Sequence, residues 1–373
     1  LFAPNRGLFS IFLPLIDSLP FRIWGKKGLK VAVSAYPLLE IDLSIIERNV
    51  GIILKKCASW HLHPVVVTKG FLADSPLVYL FYRSGIRSFA DSNLDNLLRS
   101  KKLLPSGVRL LLIRLPMKEE VEEIVAQEII PFVSHWEMVK ALNEEAEKKG
   151  KVLPLFLALE SGDAREGFLP EEIEEMGDKI GNFSHIKVEG ICSTLACLSG
   201  ILPDEEILKR LVAFKRGWEE KWGRKIILSV GGTTFLSLWE KEKEIRGVDE
   251  IRLGEALLFG NDISRGRSIE WLEGGAFTLK AEIVEIKSKE PDRGKKTGFD
   301  AFGEPNFSLE RGKRKRMILA LGKQDIDEHQ LYFSDENAKI IGATSNYLVM
   351  DIEESDRVYQ LGEVVQFRAG YGA

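Results

Sequence analysis

From Leu38 onward the chain alternates between short runs rich in β-branched and aliphatic residues and longer stretches whose apolar positions recur every three or four residues. Strand-like runs fall at 38–42, 64–68, 86–90, 108–113, 129–133, 153–159, 186–191 and 225–230, each followed by an amphipathic helical stretch. Eight such units predict an α/β fold: a closed parallel (β/α)8 barrel of the TIM type, helices outside. The helices declare themselves by start and face. Ile41-Asp-Leu-Ser44 opens one whose apolar side runs through Ile45, Ile46, Val50 and Ile53, while 118–127 and 136–149 carry charged outer faces.

Beyond residue 270 the period shortens to two. Apolar runs at 277–286, 317–321, 339–342, 347–352 and 364–368, separated by turn signals, predict a smaller all-β domain. The expected division is 1–35, 36–270 and 271–373, with Gly274-Gly275 as the hinge. Residues 1–35 match neither domain: 8–24 is apolar but interrupted by Pro14 and Pro20 and too short to span a membrane, which leaves a peripheral helix or an appended segment. The chain starts without methionine, so its true start is not visible, and it stops at Gly370-Tyr-Gly-Ala373, where either the sequence is clipped or this member is defective.

Composition narrows the class. With 52 Lys plus Arg against 56 Asp plus Glu, the net charge of −4 points to neither nucleic acid nor an anionic membrane. The one basic run, Arg311-Gly-Lys-Arg-Lys-Arg316, is expected to be a solvated turn and strand edge. Cys57, Cys192 and Cys197 form no disulfide framework or metal spacing, which implies a reducing, cytoplasmic setting. Of five histidines only His61 and His63 are close, and no third ligand accompanies them, so no metal site is expected.

The candidate chemistry centres on His-Pro-Val-Val-Val-Thr-Lys-Gly at 63–70. Three valines make a buried strand, and Lys69 stands at its carboxyl end with no acidic neighbour in sequence. Burial there would favour the neutral amine, which can form a Schiff base with an aldehyde. A strand-end lysine more often snorkels, so its surroundings decide. Gly231-Gly-Thr-Thr234 offers close backbone approach and two hydroxyls, a phosphate-binding pattern, and 252–255 supplies a second turn to that cradle.

A barrel of this order, opening with Leu39-Glu-Ile-Asp-Leu43 and ending in a β domain, resembles the alanine racemase-like pyridoxal phosphate enzymes, and most closely the branch that includes ornithine racemase. The resemblance covers 36–373. It is carried by Thr68-Lys-Gly70, Ala90-Asp-Ser-Asn-Leu-Asp-Asn96, Gly162-Asp-Ala-Arg-Glu-Gly167, Val230-Gly-Gly-Thr-Thr234, 252–260, Asp300-Ala-Phe-Gly303 and Gly322-Lys-Gln-Asp325. It implies that Lys69 holds pyridoxal 5′-phosphate, with Gly232, Thr233, Thr234, Gly254 and Glu255 around its phosphate. Arg252 would face the pyridine nitrogen; a cation that keeps its proton weakens the ring as an electron sink and favours proton exchange at Cα over transamination. Arg165 would lie near the phenolic oxygen and the substrate carboxylate. Ser193 and Thr194 occupy the place of the ring-stacking histidine of alanine racemases.

The expected function is amino-acid racemisation by two bases, Lys69 and a second group on the opposite face. Alanine racemases take the second from a partner's tyrosine; the corresponding position here is about Phe299, which cannot carry a proton. Tyr347 and Asp300 are the candidates in its place, delivered by the other copy of a homodimer. The ornithine branch typically carries an Asp-His pair where this chain has Asn346 and Tyr347. A cofactor-holding regulatory protein without turnover remains an alternative, as do a decarboxylase or a D-amino-acid aldolase on the same scaffold. The substrate is an amino acid; ornithine is suggested by family nearness alone.

Overall fold

A computed structural model describes residues 21–22, 36–181, 183–241, 246–290, 298–299, 302–303 and 312–373. The chain divides into two compact units. One holds Asp42–Phe277, His329–Leu331 and Arg368–Ala373; the other holds the residues up to Ile41 with Thr278–Glu328 and Tyr332–Phe367. Of the expected N-terminal extension, only 21–22 fall among the described residues. No helix among them is long and apolar enough to cross a membrane.

The larger unit is the expected closed parallel barrel. Its strands are β1 (His63–Val67), β2 (Ser88–Asp91), β3 (Arg109–Leu112), β4 (Ile130–Val133), β5 (Leu153–Ala158), β6 (Ile186–Thr194), β7 (Ile227–Gly231) and β8 (Glu250–Leu253), with β8 closing on β1. Side chains at every second position fill the interior: Val65, Val67, Ala90, Leu111, Ile130, Phe132, Phe156, Ala158 and Cys192 form one buried cluster. The helices are α1 (Leu43–Ser59), α2 (Ser75–Arg83), α3 (Leu94–Leu103), α4 (Val121–Ala126), α5 (Trp136–Lys148), α6 (Pro170–Ile180), α7 (Glu205–Trp222), α8 (Leu236–Lys241) and α9 (Glu255–Phe259). α1 starts where its sequence signal lies, the Asp42 carboxylate accepting from the Ser44 amide at 2.9 Å, and it buries Ile45, Ile46, Val50 and Ile53.

Two of the expected strand assignments change. Leu38–Ile41 is a strand, but it belongs to the smaller unit's sheet rather than to the barrel. The eighth barrel strand is instead Glu250–Leu253, whose Arg252 pairs in register with Val65 on one side and Gly231 on the other. Lys69 therefore follows the first barrel strand, not the second, and the Gly231-Gly-Thr-Thr turn follows the seventh.

In the smaller unit, Phe21–Arg22, Leu38–Ile41, β9 (Phe277–Lys289), β10 (Arg314–Leu319), β12 (Leu348–Asp351) and β11 (Lys339–Ala343) lie side by side in that order, and β13 (Val364–Ala369) pairs with β9. Period-two burial builds its core from Leu279, Ala281, Ile283, Met317, Leu319, Leu348, Met350 and Val365. The basic run enters β10, which is flanked on both sides and so is not an edge. One arginine of the run is met by an ion pair, Arg314 Nε to the buried Asp351 at 2.6 Å.

Candidate active site

The carboxyl ends of the barrel strands surround a cavity of about 540 Å³. Lys69, Arg165, Thr194, Gly232, Thr233, Thr234, Arg252, Gly254 and Glu255 line it, so residues from five loops converge there.

β1 ends at Val67, and Lys69 opens a short 3₁₀ turn that carries its side chain out of the barrel interior. The expectation that Lys69 is buried is thereby corrected: the residue is exposed toward the mouth. Among the described residues no hydrogen-bond acceptor or carboxylate engages its ammonium, so the amine is free to meet a ligand. The turn is fixed from below. The Thr68 hydroxyl donates to the buried Asp91 carboxylate at 2.5 Å, and Asp91 also accepts from the Asn93 amide at 2.8 Å, at the start of α3. The motif at 90–96 thus acts as a lock on the lysine-bearing turn.

Arg252 is only 3 % exposed and forms the floor. Its Nη1 donates to the Ser229 carbonyl at 2.8 Å and hydroxyl at 2.9 Å, and Nη2 to the Ser193 carbonyl and Thr194 hydroxyl, both at 2.8 Å. The guanidinium carbon sits 5.0 Å over the Phe132 ring. Burial lowers its pKa from the ordinary arginine value. Ser193 serves through its backbone, while its hydroxyl meets Ser161 rather than the cavity.

The phosphate-type cradle is built from the turns after β7 and β8. Gly232 takes φ of +112°, a backbone conformation that other residues rarely adopt, and opens the turn Thr233–Phe235. Thr233 accepts from the Ala256 amide at 3.1 Å, tying the two turns together. Among the described residues the buried Thr234 hydroxyl has no hydrogen-bond partner, the residue being 2 % exposed. A Cβ on Gly254 would lie 3.4 Å from the Val67 carbonyl, so glycine lets β8 approach the lysine strand. An orphaned hydroxyl beside a glycine turn fits an oxyanion that supplies the missing bond. The Glu255 carboxyl accepts from the Ile263 amide at 2.7 Å and is pushed up to about 7, chiefly by burial and also by Asp262.

Arg165 reaches the cavity from the loop after β5, its guanidinium shared between the Glu166 carboxylate and the Cys197 sulfur. Buried Asp163 in the same loop accepts from the amides of Cys197 at 3.1 Å, Leu198 at 3.1 Å and Ser199 at 3.2 Å. Those amides hold its carboxyl below the usual range against the opposing effect of burial.

The second-base candidates are placed differently. Tyr347 lies in the smaller unit, 48 % exposed, in a turn where its amide donates to Thr344 Oγ1 at 3.1 Å. Asp300 lies outside the described residues, and Phe299 is 75 % exposed. Among the cavity residues without a sequence assignment are Cys197 and Tyr371. Tyr371 packs its ring against Gly70, where an added Cβ would be 2.9 Å from Tyr371 Cε2.

Residues 41–262 match the model of the alanine racemase N-terminal domain. The chain is 32% identical to the ornithine racemase of Acetoanaerobium sticklandii over 91% of this chain and 96% of that protein. It is equally 32% identical to the lysine racemase of Thermotoga maritima, over 90% and 94% of the two. Among solved structures, alanine racemase from Bartonella henselae with covalently bound pyridoxal phosphate superposes with a TM-score of 0.69 at 19% identity, over 89% of this chain and 90% of that one.

Proposed function

Since the chain belongs to the alanine racemase N-terminal domain family, we propose that it is a pyridoxal phosphate-dependent racemase that interconverts L- and D-amino acids. The observation that carries the reading is a free lysine amine across one cavity from a glycine turn with an unpartnered buried hydroxyl. The likeness to two basic amino-acid racemases favours ornithine or lysine as substrate.

Pyridoxal phosphate, when bound, supplies an aldehyde for amine attachment and a conjugated ring that takes up the electron pair released at Cα. Lys69 would hold it covalently and exchange one proton at Cα. Gly232, Thr233, Thr234, Gly254 and Glu255 would hold its phosphate, and Arg252 would face its pyridine nitrogen as a fixed donor, unable to act as an acid. Arg165 and Thr194 would orient the remaining polar edge and the substrate carboxylate. Tyr347 and Asp300 stay proposals for a proton carrier brought by a second copy in a homodimer, and the reducing cytoplasm stays the proposed compartment.

The test is to incubate purified protein and added cofactor with single L-amino acids, ornithine and lysine first, and to resolve the products on a chiral column. Formation of the D-enantiomer is expected. Bound cofactor without conversion of any amino acid would transfer the reading to the cofactor-holding alternative.

A further inference from the structure

The geometry points to Cys197 as the proton carrier on the face of the substrate opposite Lys69, an assignment that rests on the racemase reading above. In the ring β8-β1-β2-β3-β4-β5-β6-β7, the turn after β1 bears Lys69 and the loop after β6 bears Cys197. The two strands are separated by β7 and β8 on the short way round, so the side chains enter the one cavity from across its mouth. A planar reactant held between them would have an amine on one side and a thiol on the other.

The other proton-bearing groups of the cavity are less well placed. Tyr371 packs on Gly70, next to Lys69 itself. Glu255 follows β8, the strand adjacent to β1, and binds the Ile263 amide. Both Glu166 oxygens are engaged by Arg165. Cys197 is exposed, and the Arg165 guanidinium contacts its sulfur at 2.6 Å. Asp163 clamps the backbone of its loop, making Asp163 and Arg165 positioning residues for the thiol. An independent feature marks the same cavity as a ligand site, the unpartnered hydroxyl of Thr234, a residue 98% buried by its 2 % exposure.

The step balances without a co-reactant. One group would take the proton as the Cα–H bond breaks and the other would deliver a proton as a C–H bond forms on the opposite face, while pyridoxal phosphate, when bound, would supply the conjugated system that holds the electron pair in between. Nothing is oxidised or reduced, and reversal or solvent exchange restores both groups.

The experiment uses the holoprotein in D₂O with each enantiomer separately, following Cα deuteration by NMR and interconversion by chiral chromatography. Cys197→Ser should keep the bound-cofactor absorbance and Lys69-driven deuteration of one enantiomer, while interconversion falls at least ~100-fold. Should that variant lose its cofactor, iodoacetamide treatment of the wild-type holoprotein replaces it, with the same one-sided exchange expected. Interconversion near the wild-type rate after either change overturns the assignment, as does loss of deuteration for both enantiomers with cofactor still bound. A collapse in Tyr347→Phe alongside an active Cys197→Ser would give the role to Tyr347. Wild-type protein that neither exchanges nor interconverts any amino acid fails the racemase reading itself, an outcome distinct from those.

Discussion

Gly231→Ala is the sharpest probe of the cavity floor. A Cβ at that position would lie 2.1 Å from Arg252 Nη2 and 2.6 Å from Cζ. Ordinary contact requires about 3.5 Å, so the guanidinium or the strand must give by about 1.4 Å. Both acceptors of Nη2, the Ser193 carbonyl and the Thr194 hydroxyl, are at 2.8 Å, and a shift of that size away from them takes the bonds beyond the hydrogen-bond range. Two charge-assisted bonds at about 1.5–3 kcal/mol each give a gross cost of roughly 3–6 kcal/mol. Relaxation of β7 offsets part of it, leaving about 3 kcal/mol, a large share of the roughly 5–15 kcal/mol that holds a domain folded. Gly232→Ala is the control: nothing stands closer than 3.7 Å to its Cβ, and its cost is backbone strain at φ +112°, about 1–3 kcal/mol. Urea unfolding followed by tryptophan fluorescence reports on the barrel, where Trp239 is 2 % exposed. Gly231→Ala within about 1 kcal/mol of wild type would refute the reasoning, because Arg252 could not then be held as described.

Four further outcomes are expected. Lys69→Ala should lose the visible absorbance of covalently held cofactor, and borohydride on wild type should fix the label to Lys69 in a peptide map; unchanged absorbance in the variant would sink the assignment. The Glu255 carboxyl rises from 4.5 to about 7, so the folded state holds its proton more tightly than the unfolded one; the associated stability is complete below about pH 4.5 and lost as pH climbs through about 7. Glu255→Gln should flatten that part of the urea midpoint against pH curve, and an unaltered slope would show the wrong group was chosen. Burial pushes the Cys57 and Cys192 thiols up to about 12, so iodoacetamide on the folded protein should label Cys197 alone, as read by intact mass. Sedimentation should give twice the 42.0 kDa chain mass; mixed Lys69→Ala and Cys197→Ser chains should stay inactive, since both groups serve one site, whereas recovery would place them in different chains.

What the sequence revealed follows from the range of each physical signal. Hydrophobic period located the strand at 38–41 and the seven barrel strands from β1 to β7, because alternation is a local property, but it could not say which strands pair. Leu38–Ile41 looks the same in a barrel as in the second sheet. Glu250–Leu253 escaped for the opposite reason: two of its four residues are charged, and their burial becomes tolerable only through distant partners, Arg109 for Glu250 and the β6 and β7 carbonyls for Arg252. The same limit governed the site. Lys69 and the Gly232 turn carry their chemistry in consecutive residues, so they were legible. Cys197 becomes a candidate only when Asp163 and Arg165, 34 and 32 positions earlier, fasten its loop over the cavity. Tyr371 likewise gains meaning only where the chain's end returns to Gly70. In this barrel the residues proposed to hold the cofactor are thus written in short motifs, while the group proposed to carry the second proton is defined by tertiary contacts. A search confined to motifs favours Tyr347 and Asp300, chosen by analogy of position, whereas tertiary contacts point to a thiol that the loop after β5 holds in the same cavity as Lys69, and the Cys197→Ser and Tyr347→Phe variants decide between them.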